Sequence, residues 1–106
     1  MPIDLTDERA AELRQKHGDE LKKVRVAGQV FVLRGPSAVE YQRFLDRSID
    51  DKKRMMAVDE LTRGCVVFPD AAQADAFFTK KPAAPTALAS HVLELAGVTG
   101  EDLGNV

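Results

Sequence analysis

The chain has one cysteine, no tryptophan and six aromatic residues, five Phe and one Tyr, among 106. A single cysteine excludes an intramolecular disulfide and suits a reducing compartment. Scarce aromatics leave the core to Leu, Val, Ala, Met and the few Phe. No apolar run approaches the roughly 20 residues that span a bilayer. The opening "MPIDLTDERAAEL" places acids where a secretory signal carries Lys or Arg, and no apolar stretch follows it. These absences predict a cytoplasmic protein without membrane contact. HExxH, CxxC, an EF-hand loop and a glycine-rich phosphate loop are missing too, so no metal or cofactor is expected.

What is present is ordinary for a globular chain: 44% hydrophobic and 30% charged residues. The length predicts one domain, residues 1–106, with a single modest core. The net charge of −2 conceals a segregation. Residues 1–20 hold six acids against three bases, residues 21–54 nine bases against four acids, and residues 55–106 seven acids against three bases. A chain that is acidic overall lacks the strongly basic balance of a dedicated nucleic-acid binder.

Local patterns predict a mainly α (α+β) fold, a small helical domain with one β-hairpin near the N-terminal third. Thr6 caps a first helix within residues 1–20, whose acids lead, whose bases trail and which Gly18 stops. Its apolar stripe, Leu5, Ala10 and Leu13, is thin, which places it at an edge. "LKKVRVAGQVFVLR", 21–34, reads as a hairpin turning at Ala27-Gly28. A helical core over 37–97 follows. Ser37 and Glu40 match a capping box, and Val39, Phe44 and Leu45 share an expected inward face with Tyr41 at its margin. The next helix, capped by Asp50 or Asp51, is expected to run through Met55, Met56, Val58, Leu61, Cys65, Val66 and Phe68, because 58, 61, 65 and 68 keep a three-four rhythm. Pro69 ends it, and Asp70 caps "AAQADAFFTKK". "PTALASHVLELAG" closes the core, with Ala87, Leu88, Val92, Leu95 and Ala96 inward and Gly97 as terminator. Residues 98–106 form a tail with a short helical turn.

Catalytic candidates fail one by one, and no enzyme is expected. Cys65 would need a nearby base or a helix N-terminus to become a thiolate, and its expected place is near a helix C-terminus. It reads as a small core hydrophobe. His17 suits a last helical turn, and His91 a half-exposed helix position. The paired acids Asp50–Asp51, Asp59–Glu60 and Glu101–Asp102 are adjacent in sequence, so on a helix their side chains diverge by about 100°. A small regulator that binds nucleic acid through Lys22, Lys23 and Arg25 (segment 22–25) and Lys52, Lys53 and Arg54 (segment 52–54) is the alternative. The acids before 52–54 make nucleic acid the less expected partner.

The order "VFVLRGPSAVEYQRFLD", "LTRGCVVFPD" and "ASHVLELAG" resembles the small tail assembly chaperones of tailed bacteriophages and prophages, over residues 29–97. The resemblance implies a non-enzymatic protein that escorts the long tape-measure protein in the bacterial host cytoplasm, self-associates, and occurs also as a longer frameshifted form. It supplies no catalytic residues. Client-binding candidates are Tyr41, Met55, Met56, Phe77 and Phe78, with Phe31 beside them. The Phe77-Phe78 pair leads, because neighbours on a helix do not share one buried face.

Overall fold

The computed structural model describes residues 2–98, 100 and 102–105. Five helices surround a three-stranded antiparallel sheet of order β1-β2-β3. Helix α1 spans Asp7–His17, strands β1 and β2 Leu21–Val26 and Gln29–Arg34, helices α2 and α3 Ala38–Ser48 and Arg54–Cys65. Strand β3 spans Val66–Phe68, α4 Ala71–Lys80 and α5 Ala84–Leu95. The expected small α+β domain with a hairpin in its N-terminal third is what the chain forms.

The hairpin turns on two residues, Ala27 at φ 49° and Gly28 at φ 84°. A two-residue turn with both centres at positive φ matches the twist of the flanking strands. The register pairs Val24 with Phe31, Val26 with Gln29 and Lys23 with Val32. Alternation then divides the sheet into two faces. Phe31 and Leu33, with Val24 and Val26 beside them, pack on Leu61, Cys65, Ala74, Phe78, Leu88 and Val92 of the helices. The opposite face carries a thinner layer in which Val32 and Phe68 meet Leu13 of α1, with Ile3, Leu5 and Leu21 at its margin.

Two expectations are corrected. The helix expected to run to Phe68 stops at Cys65, and Val66–Phe68 form a strand on β2, pairing Phe68 with Val32 and Val66 with Leu33. The β-branched pair Val66-Val67 fits a pleated sheet better than a helix, and β2 offers an open edge. The helical rhythm of 58, 61, 65 and 68 arises because Phe68 is buried too, from a strand. The start of α3 also differs: Lys53 precedes its first residue, and Asp50 accepts from the Lys52 N–H in the turn before it.

The caps expected at Thr6 and Ser37 form, each accepting from the backbone N–H three residues on, and Glu40 returns the bond to the Ser37 N–H. Thr99 and Glu101, within the turn expected over the tail, lie outside the described residues. Val98, Gly100 and 102–105 carry no regular structure.

Candidate functional site

Helix α2 is the unusual element, and its anchors come first. Arg34, the last residue of β2, forks onto Glu40 with both N–H···O distances at 2.8 Å, and also donates to the carbonyls of Gly35 and Gly64. One guanidinium therefore joins the end of the sheet, the first turn of α2 and the last turn of α3. Parallel charge-assisted bonds of this kind are strong and directional. The hydrogen bonds from Arg34 hold the Glu40 carboxyl down at about 2, and those to Glu40 raise the Arg34 pKa in turn.

Farther along, Arg47 of α2 pairs with Glu60 of α3. Glu40, Arg43, Phe44 and Arg47 share with Ala57, Glu60, Leu61 and Gly64 a cavity of about 200 Å³ between the two helices. The seam thus sets the charged Glu40, Arg43, Arg47 and Glu60 beside Phe44, Ala57 and Leu61, and Phe44 packs on the helical core.

The apolar side of α2 lies elsewhere. Tyr41, Leu45 and Ile49 recur every four residues, and at 100° per residue Leu45 is 200° from both Arg43 and Arg47. No α2 residue is buried. Leu45 and Val39, expected inside, are exposed, and Ile49 is 82% exposed just beyond the helix end. Their inward assignment is corrected: α2 turns its charged flank toward α3 and leaves its aliphatic stripe to solvent. Met55 and Met56, at the start of α3 after the short turn, are 70% and 71% exposed.

The five expected client residues therefore separate. Tyr41 is half-buried and stacks on Phe44 with centroids 5.6 Å apart. Tyr41 belongs to the α2 stripe, and Met55 and Met56 to the first turn of α3. Phe77 and Phe78 belong to α4, and both touch Phe31, Phe77 edge-on at 5.2 Å and Phe78 stacked at 5.5 Å. Adjacent helical residues do meet one core here, because Phe31 projects between their two directions. Phe78 is buried, and Arg63 lies 5.0 Å from its ring centre. Phe77 is half-buried and reaches a surface groove. Leu45 was expected inside and not as a client residue, and Ile49 was given no role. The signal was the four-residue repeat continuing from Tyr41 past the end of α2.

The basic residues of the alternative do not make one patch. Lys22 pairs with Glu94 of α5 on the helical side of the sheet, whereas Lys23 and Arg25 alternate to the other face. Arg54 is held by Asp51 and the Ser48 carbonyl. Cys65 is fully buried, and burial pushes its thiol up to about 11, with the nearby Arg34 charge opposing. A thiol so held stays protonated at neutral pH. Among the described residues no three of His, Cys, Asp and Glu converge as a metal-binding group. No helix among them is long and apolar enough to cross a membrane.

A small antiparallel sheet backed by helices, with a helix beside it that leaves Leu45 and the following Ile49 exposed, makes a compact α+β domain. The chain belongs to the DUF6848 family, a domain of unknown function, whose pattern matches residues 12–103. No curated protein matches it. The fold is similar to that of an uncharacterised protein from Bacillus stearothermophilus, with a TM-score of 0.72 and 23% identity over 91% of this chain and 99% of the other.

Proposed function

We propose that the chain is a non-enzymatic protein-binding module that holds an amphipathic helix of a client on the Tyr41–Leu45–Ile49 stripe, with Met55 and Met56 extending the contact. The client is a phage tape-measure protein, and the module is a tail assembly chaperone acting in the host cytoplasm. The stripe is the observation that carries this. An amphipathic helix usually turns its apolar side to the core, and one that turns it to water has a surface for a partner. Three aliphatic or aromatic side chains at four-residue spacing fit the helix-in-groove mode of recognition, and methionines adapt to varied clients. The order of motifs over residues 29–97 supplies the phage assignment.

The test is co-expression with the tape-measure-length product of a neighbouring reading frame, followed by pull-down at low and high salt. A complex should be recovered at both, since apolar burial is not screened. Failure to recover it, together with tight salt-sensitive binding to DNA, would transfer the function to the nucleic-acid regulator.

A further inference from the structure

A second surface feature involves none of the residues of the α2 stripe. Residues 2–5, outside any helix or strand, form an arm ahead of α1, and Gln29 holds it. The Ile3 N–H donates to Gln29 Oε1 at 2.7 Å, and Gln29 Nε2 donates to the Ile3 carbonyl at 2.9 Å and to that of Val30 at 2.8 Å. Gln29 is 3% exposed. Its side-chain amide therefore acts like the backbone of one more strand residue. It reads a main chain in extended form and is indifferent to the side chain at that position. Ile3 and Leu5, at alternate positions, rest on the thin layer around Val32 and Phe68.

Charge marks the same slot. A cavity of about 390 Å³ on one side of the arm is bordered by Phe77, Lys80 and Lys81, and one of about 470 Å³ on the other by Lys23 and Arg25. Among the described residues the one acid bordering either cavity is Asp4, and it belongs to the arm itself. Among the described residues none of these four bases forms an ion pair. The arm's attachment is also slight, since α1 behind it buries Leu13 alone. The walls of the slot fall within the family match, whereas residues 2–5 precede it.

We infer that this slot is a docking site for an extended acidic peptide segment with apolar residues at alternate positions, and that the arm occupies it as an internal stand-in. Gln29 makes an empty slot costly, because its buried amide then keeps the Val30 carbonyl but loses both bonds to the Ile3 main chain. The unpaired bases on both sides favour acids flanking the incoming segment. The arm competes from within the same molecule, so the apparent affinity for an outside peptide falls with the fraction of time the slot is open.

The test uses a fluorescent, end-capped peptide copying residues 2–8, PIDLTDE, whose anisotropy is followed as the full-length chain is added. An Ile3→Ala/Leu5→Ala chain, its arm loosened but its length kept, should bind the peptide about tenfold more tightly than the parent chain, as removal of a competing closed state requires. Adding Lys80→Glu/Lys81→Glu should weaken that binding at least about fivefold, and these exposed positions leave folding intact. Gln29→Ala in the same chain should abolish it. Absence of binding by both chains would overturn the inference, as would equal binding by parent and arm-loosened chains or indifference to the Lys80 and Lys81 reversal. Equal binding in particular would mean that the peptide sits on a charged surface and not in the slot.

Discussion

Helices α2 and α5 are nearly equal in length, eleven and twelve residues, yet they are held in opposite ways. Helix α5 buries Ala84, Pro85, Leu88, Ala89 and Val92 and has no side-chain hydrogen bond at its N-cap. Helix α2 has no fully buried residue, and is fixed by its capping box, by the Arg34–Glu40 fork, by Arg47–Glu60 and by half-buried Phe44 against the helical core. Burial of a large aliphatic side chain stabilises by about 1.5–3 kcal/mol, and a cap by about 1 kcal/mol. The core therefore needs α5, whereas α2 is attached by polar contacts at one end and along one flank and by Phe44 at the margin of the core. Such attachment leaves an apolar stripe free for something other than folding.

The contrast can be broken most severely at α5. Leu88 is fully buried, and Leu88→Ala should cost about 2–5 kcal/mol in chemical denaturation, through lost transfer energy and the cavity left behind. A cost under 1 kcal/mol would mean that the helical core is much looser than described.

The Arg34–Glu40 fork should matter next. Glu40→Gln should destabilise by about 1–2 kcal/mol at neutral pH, as for a hydrogen bond to a charged group. Its pH dependence has a definite sign. The folded carboxyl lies at about 2 against an ordinary 4.5, so its contribution is complete above about 4.5 and is lost as pH falls through about 2. Denaturation midpoints followed between those values should fall more steeply for the parent chain than for Glu40→Gln. Parallel curves would show that the fork does not stabilise the fold.

Cys65 comes next in effect. Cys65→Ala should cost about 1 kcal/mol or a little more and leave binding unchanged. The native thiol, buried and pushed up to about 11, should react with a thiol reagent only on unfolding. Rapid labelling of the native chain would contradict its core placement. The smallest effects belong to the stripe: Leu45→Ala and Ile49→Ala should each shift stability by less than about 0.5 kcal/mol, as surface substitutions do.

The sequence disclosed a good part of this and misled where two patterns competed. The hairpin, the caps at Thr6 and Ser37, and the break at Pro69 were legible because each depends on neighbours in sequence. Strand β3 was hidden because three-residue strands carry almost no periodicity, and its pairing with β2 is decided by a chain segment some thirty residues away. The orientation of α2 was hidden for a related reason. Its aliphatic stripe is evident from spacing, but nothing local says whether that stripe or the flank of Glu40, Arg43 and Arg47 faces the fold. The charged flank faces inward because Arg34 and Glu60 are waiting there. Among the expected client residues, Tyr41 belongs with the stripe and Met55 and Met56 lie at the start of α3, whereas Phe77 and Phe78 lie on α4 and pack on Phe31.

The central claim is that the α2 stripe binds a partner and does not support the fold. The most direct measurement pairs two readouts on one variant, Leu45→Asp/Ile49→Asp: its denaturation curve, and its recovery of the tape-measure client in pull-down at high salt. The account expects a denaturation curve within about 0.5 kcal/mol of the parent and loss of the client complex. A variant destabilised by several kcal/mol, or one that retains the complex, would contradict it.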